Sequence, residues 1–209
     1  MPSEAAGPVA GIVLAAGVSQ RLGQNKLFLE LEGETLLRRV VGRAIAAGLA
    51  PVLVVVGHEA ERALREIASM SCEPVMNPDY ALGVNVSLRA GVRALPAGVA
   101  AGVVLLGDMP FVTTEMIATV VERFRQGDAA LVVSDYEGVQ APPTLFDRSL
   151  LDEFLGMGAD ACSRHLVKRH RSEAAEVRWP ATALADIDVP DDYERAKATV
   201  ADRSPMDAR

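Results

Sequence analysis

The chain has 209 residues, half of them hydrophobic, and 28 acidic against 21 basic side chains give it a formal net charge of −7. A chain of this length buries roughly 70% of the surface its unfolded form exposes, which supports a full core without disulfides or structural metal and excludes disorder for most of it. Only 4% of the residues are aromatic, and scarce stacking rings with an acidic balance argue against a phosphate-tracking nucleic-acid binder.

In chain order, the N-terminal MPSEAAGPVAG has no basic region ahead of its apolar stretch and carries Glu4, so it does not read as a secretory signal. Runs rich in Val, Ile and Leu follow at Val9–Leu14, Val52–Val56, Val103–Leu106 and Ala130–Val133. Their unbroken apolar character is that of strands buried on both faces. Amphipathic spacing between them predicts helices over Thr35–Ala47, Glu59–Ser69, Ser87–Leu95 and Thr114–Arg125. After Gly138 the pattern is less regular: Pro142-Pro143, a helix near Leu150, another over Cys162–Arg169, a strand over Ala175–Trp179, and a last helix from Asp191 to about Val200. Ala201–Arg209 reads as a frayed tail. Strands alternating with helices predict an α/β sandwich with helices on both faces of a parallel sheet, and no linker divides residues 1–209 into two cores.

The longest stretch without a charge runs 16 residues, Ala5 to Gln20, and the next candidate, Ala94 to Gly107, runs 14, both under the roughly 20 apolar residues that span a bilayer. Two unclustered cysteines, Cys72 and Cys162, fit a reduced, cytoplasmic protein.

Ligands of an open α/β sheet sit beyond the carboxyl ends of its strands, and three loops there carry unusual chemistry. The first, Ala15 to Lys26, combines small residues with Ser19, Arg21 and Lys26 as donors, a composition suited to a polyphosphate. It is neither a P-loop, since Lys26 lies three residues after Gly23 and Leu27 follows, nor a dinucleotide fingerprint. A plain tight turn has the same glycine content. Lys26 is one of only three lysines, with Lys168 and Lys197, against 18 arginines. The second loop, Gly107-Asp108-Met109-Pro110, holds a carboxylate at a strand's carboxyl end, either a hard-cation ligand or a turn residue. The third, Asp186-Ile187-Asp188-Val189-Pro190-Asp191-Asp192-Tyr193, puts Asp186 and Asp188 on one face of an extended segment and offers Asp191 or Asp192 as helix caps.

Together, LAAGVSQRLGQNK at Leu14 to Lys26, NPDYALGVNVSLRAG at Asn77 to Gly91, LLGDMPFVT at Leu105 to Thr113 and DIDVPDDY at Asp186 to Tyr193 resemble the MobA-like nucleotidyltransferase family. Within it they look like the MocA-type molybdenum cofactor cytidylyltransferases. The resemblance runs from about Val9 to Lys197. It implies a three-layer α/β/α Rossmann-like fold with a mostly parallel sheet, a nucleotide-binding part over about residues 9–137 and an acceptor-binding part over about 138–200. It also implies transfer of CMP from CTP to the phosphate of molybdenum-molybdopterin with release of pyrophosphate, the alternatives being another NTP or phosphorylated acceptor, or a non-catalytic or redox relative on the same fold. By motif, Leu14, Ala15, Ala16 and Gly17 line base and ribose, Ser19, Arg21, Gly23 and Lys26 hold the triphosphate, and Asn77 and Ser87 close the nucleotide pocket. Asp108, with Asp188, binds Mg²⁺ or alternatively Mn²⁺, and Arg21, Lys26 and Asp108 form the catalytic set. Implied partners are the two small-molecule substrates and a recipient molybdoenzyme or its chaperone, with no nucleic acid or membrane. Ala15-Ala16-Gly17 looks like the cytidine version of a motif that reads Gly-Gly in guanosine-using relatives.

This chain departs from the family at Gly83-Val84-Asn85-Val86-Ser87, where relatives carry a Ser-rich turn. It departs again at Ala141-Pro142-Pro143-Thr144-Leu145-Phe146 and Gly158-Ala159-Asp160-Ala161-Cys162-Ser163-Arg164, the acceptor-side positions. Cys162, His165 and His170 do not share one helix face, so the segment through Arg164, Lys168, Arg169 and Arg171 reads as a solvated basic stretch able to attract an anionic acceptor. His58, after Val56-Gly57, is either a nucleotide contact or an ordinary loop residue.

Overall fold

Strand β1 (Val9–Ala15) is buried at every position because both sides of its pleat meet apolar layers. Ala10, Ile12 and Leu14 pack into one hydrophobic cluster, and Val9, Val13 and Ala15 into the other, the period-two alternation of extended backbone. In the computed structural model, which describes residues 7–18, 24–158, 162–184 and 190–203, this strand lies in the interior of the main sheet. A small antiparallel pair, β2 (Glu30–Leu31) and β3 (Glu34–Thr35), leads into α1 (Leu36–Ala46), whose cap Thr35 accepts from the Arg38 N–H. Then come β4 (Val52–Val56), α2 (Ala60–Ile67), β5 (Glu73–Met76), α3 (Val84–Arg93) and β6 (Ala101–Leu106). The second half holds α4 (Thr114–Arg125), β7 (Leu131–Tyr136), β8 (Val139–Asp147), α5 (Arg148–Gly156), α6 (Ser163–Arg169), β9 (Ala175–Trp179) and α7 (Pro190–Arg203).

Seven strands form one sheet in the order β5-β4-β1-β6-β8-β7-β9. All neighbours are parallel except β8, which runs antiparallel to both β6 and β7. Buried residues of α1, α2 and α4, such as Leu37, Ile67 and Ile117, cover one face, and Leu88 of α3, Leu151 of α5 and Leu166 of α6 cover the other. The three-layer α/β/α architecture with a mostly parallel sheet is therefore present. Among the described residues, no helix is long and apolar enough to cross a membrane.

Several elements differ from the sequence expectation. β8 occupies the stretch expected to be irregular and includes Pro142 and Pro143. Its pairing interrupts around them, between Val132 and Ser134 of β7, which is where a residue without an N–H fits a ladder. β5 carried no strand signal because it is a short edge strand with Glu73, Pro74 and Met76 exposed. Helix α3 begins at Val84, three residues before the expected Ser87. The last helix continues to Arg203, so the tail expected to fray from Ala201 is helical for its first three residues.

Candidate functional site

Both neighbours of β1 are parallel to it: the chain runs from β1 out to β4 and β5 on one side and then crosses back to β6 on the other. A crevice opens where strand order reverses in this way, beyond the carboxyl ends of β1 and β6. Residues Leu14, Ala15, Ala16 and Gly17 leave β1 there and line a cavity of about 450 Å³ together with Lys26 and Asp108. Lys26 opens one turn of 3-10 helix, Lys26–Phe28, started by the buried Asn25, whose side chain accepts the Leu27 N–H at 3.2 Å. Asp108 follows β6 through Gly107, whose N–H donates to the Leu14 carbonyl at 3.0 Å. The crossing is tight: a Cβ on Gly107 would lie 2.9 Å from Leu27 Cδ2 and 3.3 Å from the Leu14 oxygen, so any side chain there pushes Leu27 aside.

That crossing brings Lys26 Nζ to 2.5 Å from Asp108 Oδ2, with the two side chains 18% and 20% exposed. A cation and a carboxylate, each still open to solvent, thus face one small cavity. Such a pair suits a ligand that brings both a polyanion and a divalent cation, one engaging each partner. Among the described residues no three His, Cys, Asp or Glu side chains form a metal-binding group. Magnesium does not require one, since it takes one or two protein carboxylates and completes its shell with phosphate and water.

Ser87, on α3, lines the same cavity. Asn77 stands behind it: its Nδ2 donates to Ser87 Oγ at 2.9 Å, its Oδ1 accepts the Asp79 N–H at 3.1 Å, and both side chains are buried. Asn77 therefore reaches the cavity through Ser87. His58 acts through its backbone, donating its N–H to the Ala16 carbonyl at 3.2 Å. Ser19, Arg21, Gly23 and Asp188, and with it Asp186, lie outside the described residues.

A second cavity of about 840 Å³ shares Leu14, Val84 and Leu106 with the first. Its floor is apolar, with Leu88, Val104, Val133 and Phe146, and its rim carries Arg164, Lys168 and Arg171. Arg164 and Lys168 are four residues apart on α6 and so share one face. No carboxylate is found among the described residues lining it, a balance that attracts anions. The basic stretch thus borders a cavity, which its sequence alone did not indicate.

The wall between the two cavities is α3, and sequence reasoning missed its main anchor. Arg89, 8% exposed, donates to the carbonyls of Leu155, Met157 and Gly158 at 3.2, 3.1 and 2.7 Å and lies over the Phe154 ring. It binds α3 to the end of α5. The Ser163 N–H donates to Asn85 Oδ1 at 3.4 Å, which ties α6 to the same helix. No local pattern marks Arg89, because its partners lie far along the chain. The remaining candidates are structural. The Cys162 N–H donates to His165 Nδ1 at 3.4 Å, and His170 Nε2 lies 2.8 Å from Glu153 Oε2. Desolvation raises the Glu153 pKa, but hydrogen bonds and charge from His170 and Arg169 outweigh it and hold the carboxyl below its ordinary value. Burial pushes the Cys72 thiol up.

Residues 11–175 match the family model described as the MobA-like NTP transferase domain. The chain is 30% identical to the purine catabolism protein PucB of Bacillus subtilis (strain 168) over 90% of its own length and 95% of that protein. It is 26% identical to the molybdenum cofactor cytidylyltransferase of Escherichia coli (strain K12), over 89% and 94% of the two chains. It also matches bifunctional GlmU proteins, of whose length it spans about a quarter, 26% in Anaeromyxobacter dehalogenans (strain 2CP-C). Among solved structures, Rv0371c from Mycobacterium tuberculosis H37Rv superposes with a TM-score of 0.80 at 25% identity, over 92% of this chain and 99% of that one. A complex of Rv0371C with manganese superposes at 0.77 with 23% identity, over 92% and 99%. With the fold, the crevice and the family match agreeing over most of its length, the chain belongs to the MobA-like NTP transferase family.

Proposed function

We propose that the chain transfers CMP from CTP to the phosphate of molybdenum-molybdopterin and releases pyrophosphate. The observation that carries this reading is the Lys26–Asp108 pair at 2.5 Å in a cavity that adjoins a second, cation-rimmed one. Two joined compartments suit two substrates that must meet, with the nucleotide in the smaller and the acceptor in the larger.

In this reading an acceptor phosphate oxygen attacks the α-phosphorus of CTP. One P–O bond forms there while the bond to the β-phosphate oxygen breaks, and pyrophosphate leaves with the electron pair. The acceptor phosphate is already ionised near neutral pH, so no general base is required, and the protein's task is positioning and charge stabilisation. Lys26 and Arg21 hold the β- and γ-phosphates and favour their departure. Leu14 to Gly17 approach the nucleoside with backbone, and Ser87, fixed by Asn77, closes the pocket over it. Asp108, with Asp188 as second ligand, holds Mg²⁺ or Mn²⁺, which when bound neutralises charge on the reacting phosphates. Arg164 and Lys168 draw the anionic acceptor into the larger cavity. A recipient molybdoenzyme or its chaperone takes the product, in a cytoplasmic setting.

The test is product identification. Purified protein with Mg²⁺, CTP and molybdenum cofactor is expected to yield the cytosine dinucleotide of the cofactor by mass spectrometry, and absence of any CMP adduct refutes the reading. A second reading keeps the nucleotide chemistry and changes the acceptor or the NTP. It is supported by the similarity to PucB along nearly the whole chain and by the departures at Ala141 to Phe146 and Gly158 to Arg164. Pyrophosphate release with a different phosphorylated acceptor would favour it.

A further inference from the structure

Tyr80 lies within the Asn77 to Gly91 motif without a role of its own there, and it is the one aromatic residue among the described residues lining the smaller cavity. The rest of that lining is aliphatic or polar: Leu14, Ala16, Val18 and Val84 on one hand, Lys26 and Asp108 on the other. Tyr80 is seated by an unusually close approach. A Cβ on Gly57, just past the end of β4, would lie 2.5, 2.7 and 2.8 Å from Tyr80 Cβ, Cγ and Cδ1, so residue 57 must be glycine for the ring to occupy this place. The ring's inner side packs on the cluster built around Ile12 and Val55, and His58 stands 6.0 Å away at a tilt. Its position is thus held in part by the segment at the end of β4.

Two further features of this lining point to a flat, partly apolar ligand. Val18 and Val84 are 45% and 57% exposed, two of the five exposed large hydrophobic side chains in the described structure, and both line this cavity. Exposed apolar surface concentrated at a cavity mouth marks a surface that a ligand covers. The Ala16 carbonyl beside them is already held by the His58 N–H. Flat contact with these apolar side chains therefore adds to hydrogen bonding as a means of gripping a base here.

We infer that Tyr80 is the stacking wall of the nucleotide site, holding the nucleobase between its ring and the aliphatic lip of Val18 and Val84, with Gly57 as the residue that makes room for it. The inference rests on the smaller cavity being the nucleotide site. Base-aromatic stacking then contributes affinity for the base alone, while Lys26 serves the phosphates.

The experiment compares two probes in the presence of Mg²⁺, CTP and inorganic tripolyphosphate, the second lacking a base, by isothermal titration on wild type, Tyr80→Leu, Tyr80→Phe and Gly57→Ala. Tyr80→Leu is expected to weaken CTP by about 5- to 150-fold while tripolyphosphate binds as to wild type. Tyr80→Phe keeps the ring and the CTP affinity. Gly57→Ala, which displaces the ring, follows Tyr80→Leu. In wild type and Tyr80→Phe the cytosine H5 and H6 resonances of bound CTP shift upfield from the ring current, and in Tyr80→Leu they do not. Unchanged CTP affinity in Tyr80→Leu, or parallel loss of both probes, overturns the inference and leaves the proposed reaction standing if wild type still releases pyrophosphate. Failure of wild type to bind CTP at all removes both.

Discussion

Replacing Lys26 by alanine separates what this residue does for the fold from what it does for chemistry. At 2.5 Å from Asp108 Oδ2, the ammonium has a gross attraction of several kcal/mol at an effective dielectric of about 20. Both side chains keep close to a fifth of their surface in solvent, so hydration lost on pairing offsets most of it and the net contribution is on the order of 1 kcal/mol. For a chain of this size that corresponds to a fall in melting temperature of about 2–4 °C. The effect on catalysis is much larger if Lys26 meets the triphosphate, because removing one preorganised charge from a developing anion costs about 100- to 1,000-fold in rate. Thermal unfolding followed by circular dichroism and pyrophosphate release from CTP, measured on the same preparations, give the two numbers. A near-native melting curve with turnover down at least about 100-fold is expected. Wild-type turnover in Lys26→Ala would refute the placement of the triphosphate, and a collapse in stability would refute the view that the pair is built for a ligand.

Gly107→Ala forces a methyl against Leu27 and the Leu14 carbonyl; overpacking of this kind costs about 1–3 kcal/mol, and by displacing the Lys26 turn it should also raise the apparent CTP dissociation constant, both readable by thermal shift with and without nucleotide. Arg89→Met keeps the stem but strips the carbonyls of Leu155, Met157 and Gly158 of their donor; a loss of at least about 2 kcal/mol in urea unfolding is expected, with acceptor KM rising more than nucleotide affinity falls. Glu153 has a folded-state pKa below its unfolded value, so its contribution to stability is fully present above the unfolded value of about 4.3 and is lost as pH falls through the folded one. Acid unfolding monitored in that range should be flatter in Glu153→Gln than in wild type.

The parts of the fold that could be read from sequence are those whose burial is continuous or repeats with a regular period. β4 and α4 were placed at Val52–Val56 and Thr114–Arg125, where continuous valines and a regular apolar stripe leave little choice. β8 escaped because Pro142 and Pro143 argue against a strand, and only the antiparallel turn from β7 and the pairing with β6 make room for them. β5 escaped because the mostly exposed Glu73-Pro74-Val75-Met76 carries no periodic signal and is held by backbone pairing to β4.

The same division runs through the site. Lys26 and Asp108 were each legible from their loops, but their pairing depends on Gly107 crossing Leu14, a tertiary fact. Asn77 and Ser87 were both selected, and the structure assigns them different positions, one lining the cavity and one behind. Tyr80, Gly57 and Arg89 left no local mark, since each matters for what distant segments bring against it.

The most direct measurement follows pyrophosphate released by the purified protein with Mg²⁺ and each of the common nucleoside triphosphates in turn, with and without molybdenum cofactor. Release with CTP that depends on the cofactor is the predicted result. Absence of release with any triphosphate, in protein shown to be folded and to have received intact cofactor, would contradict nucleotidyl transfer by this chain to that acceptor.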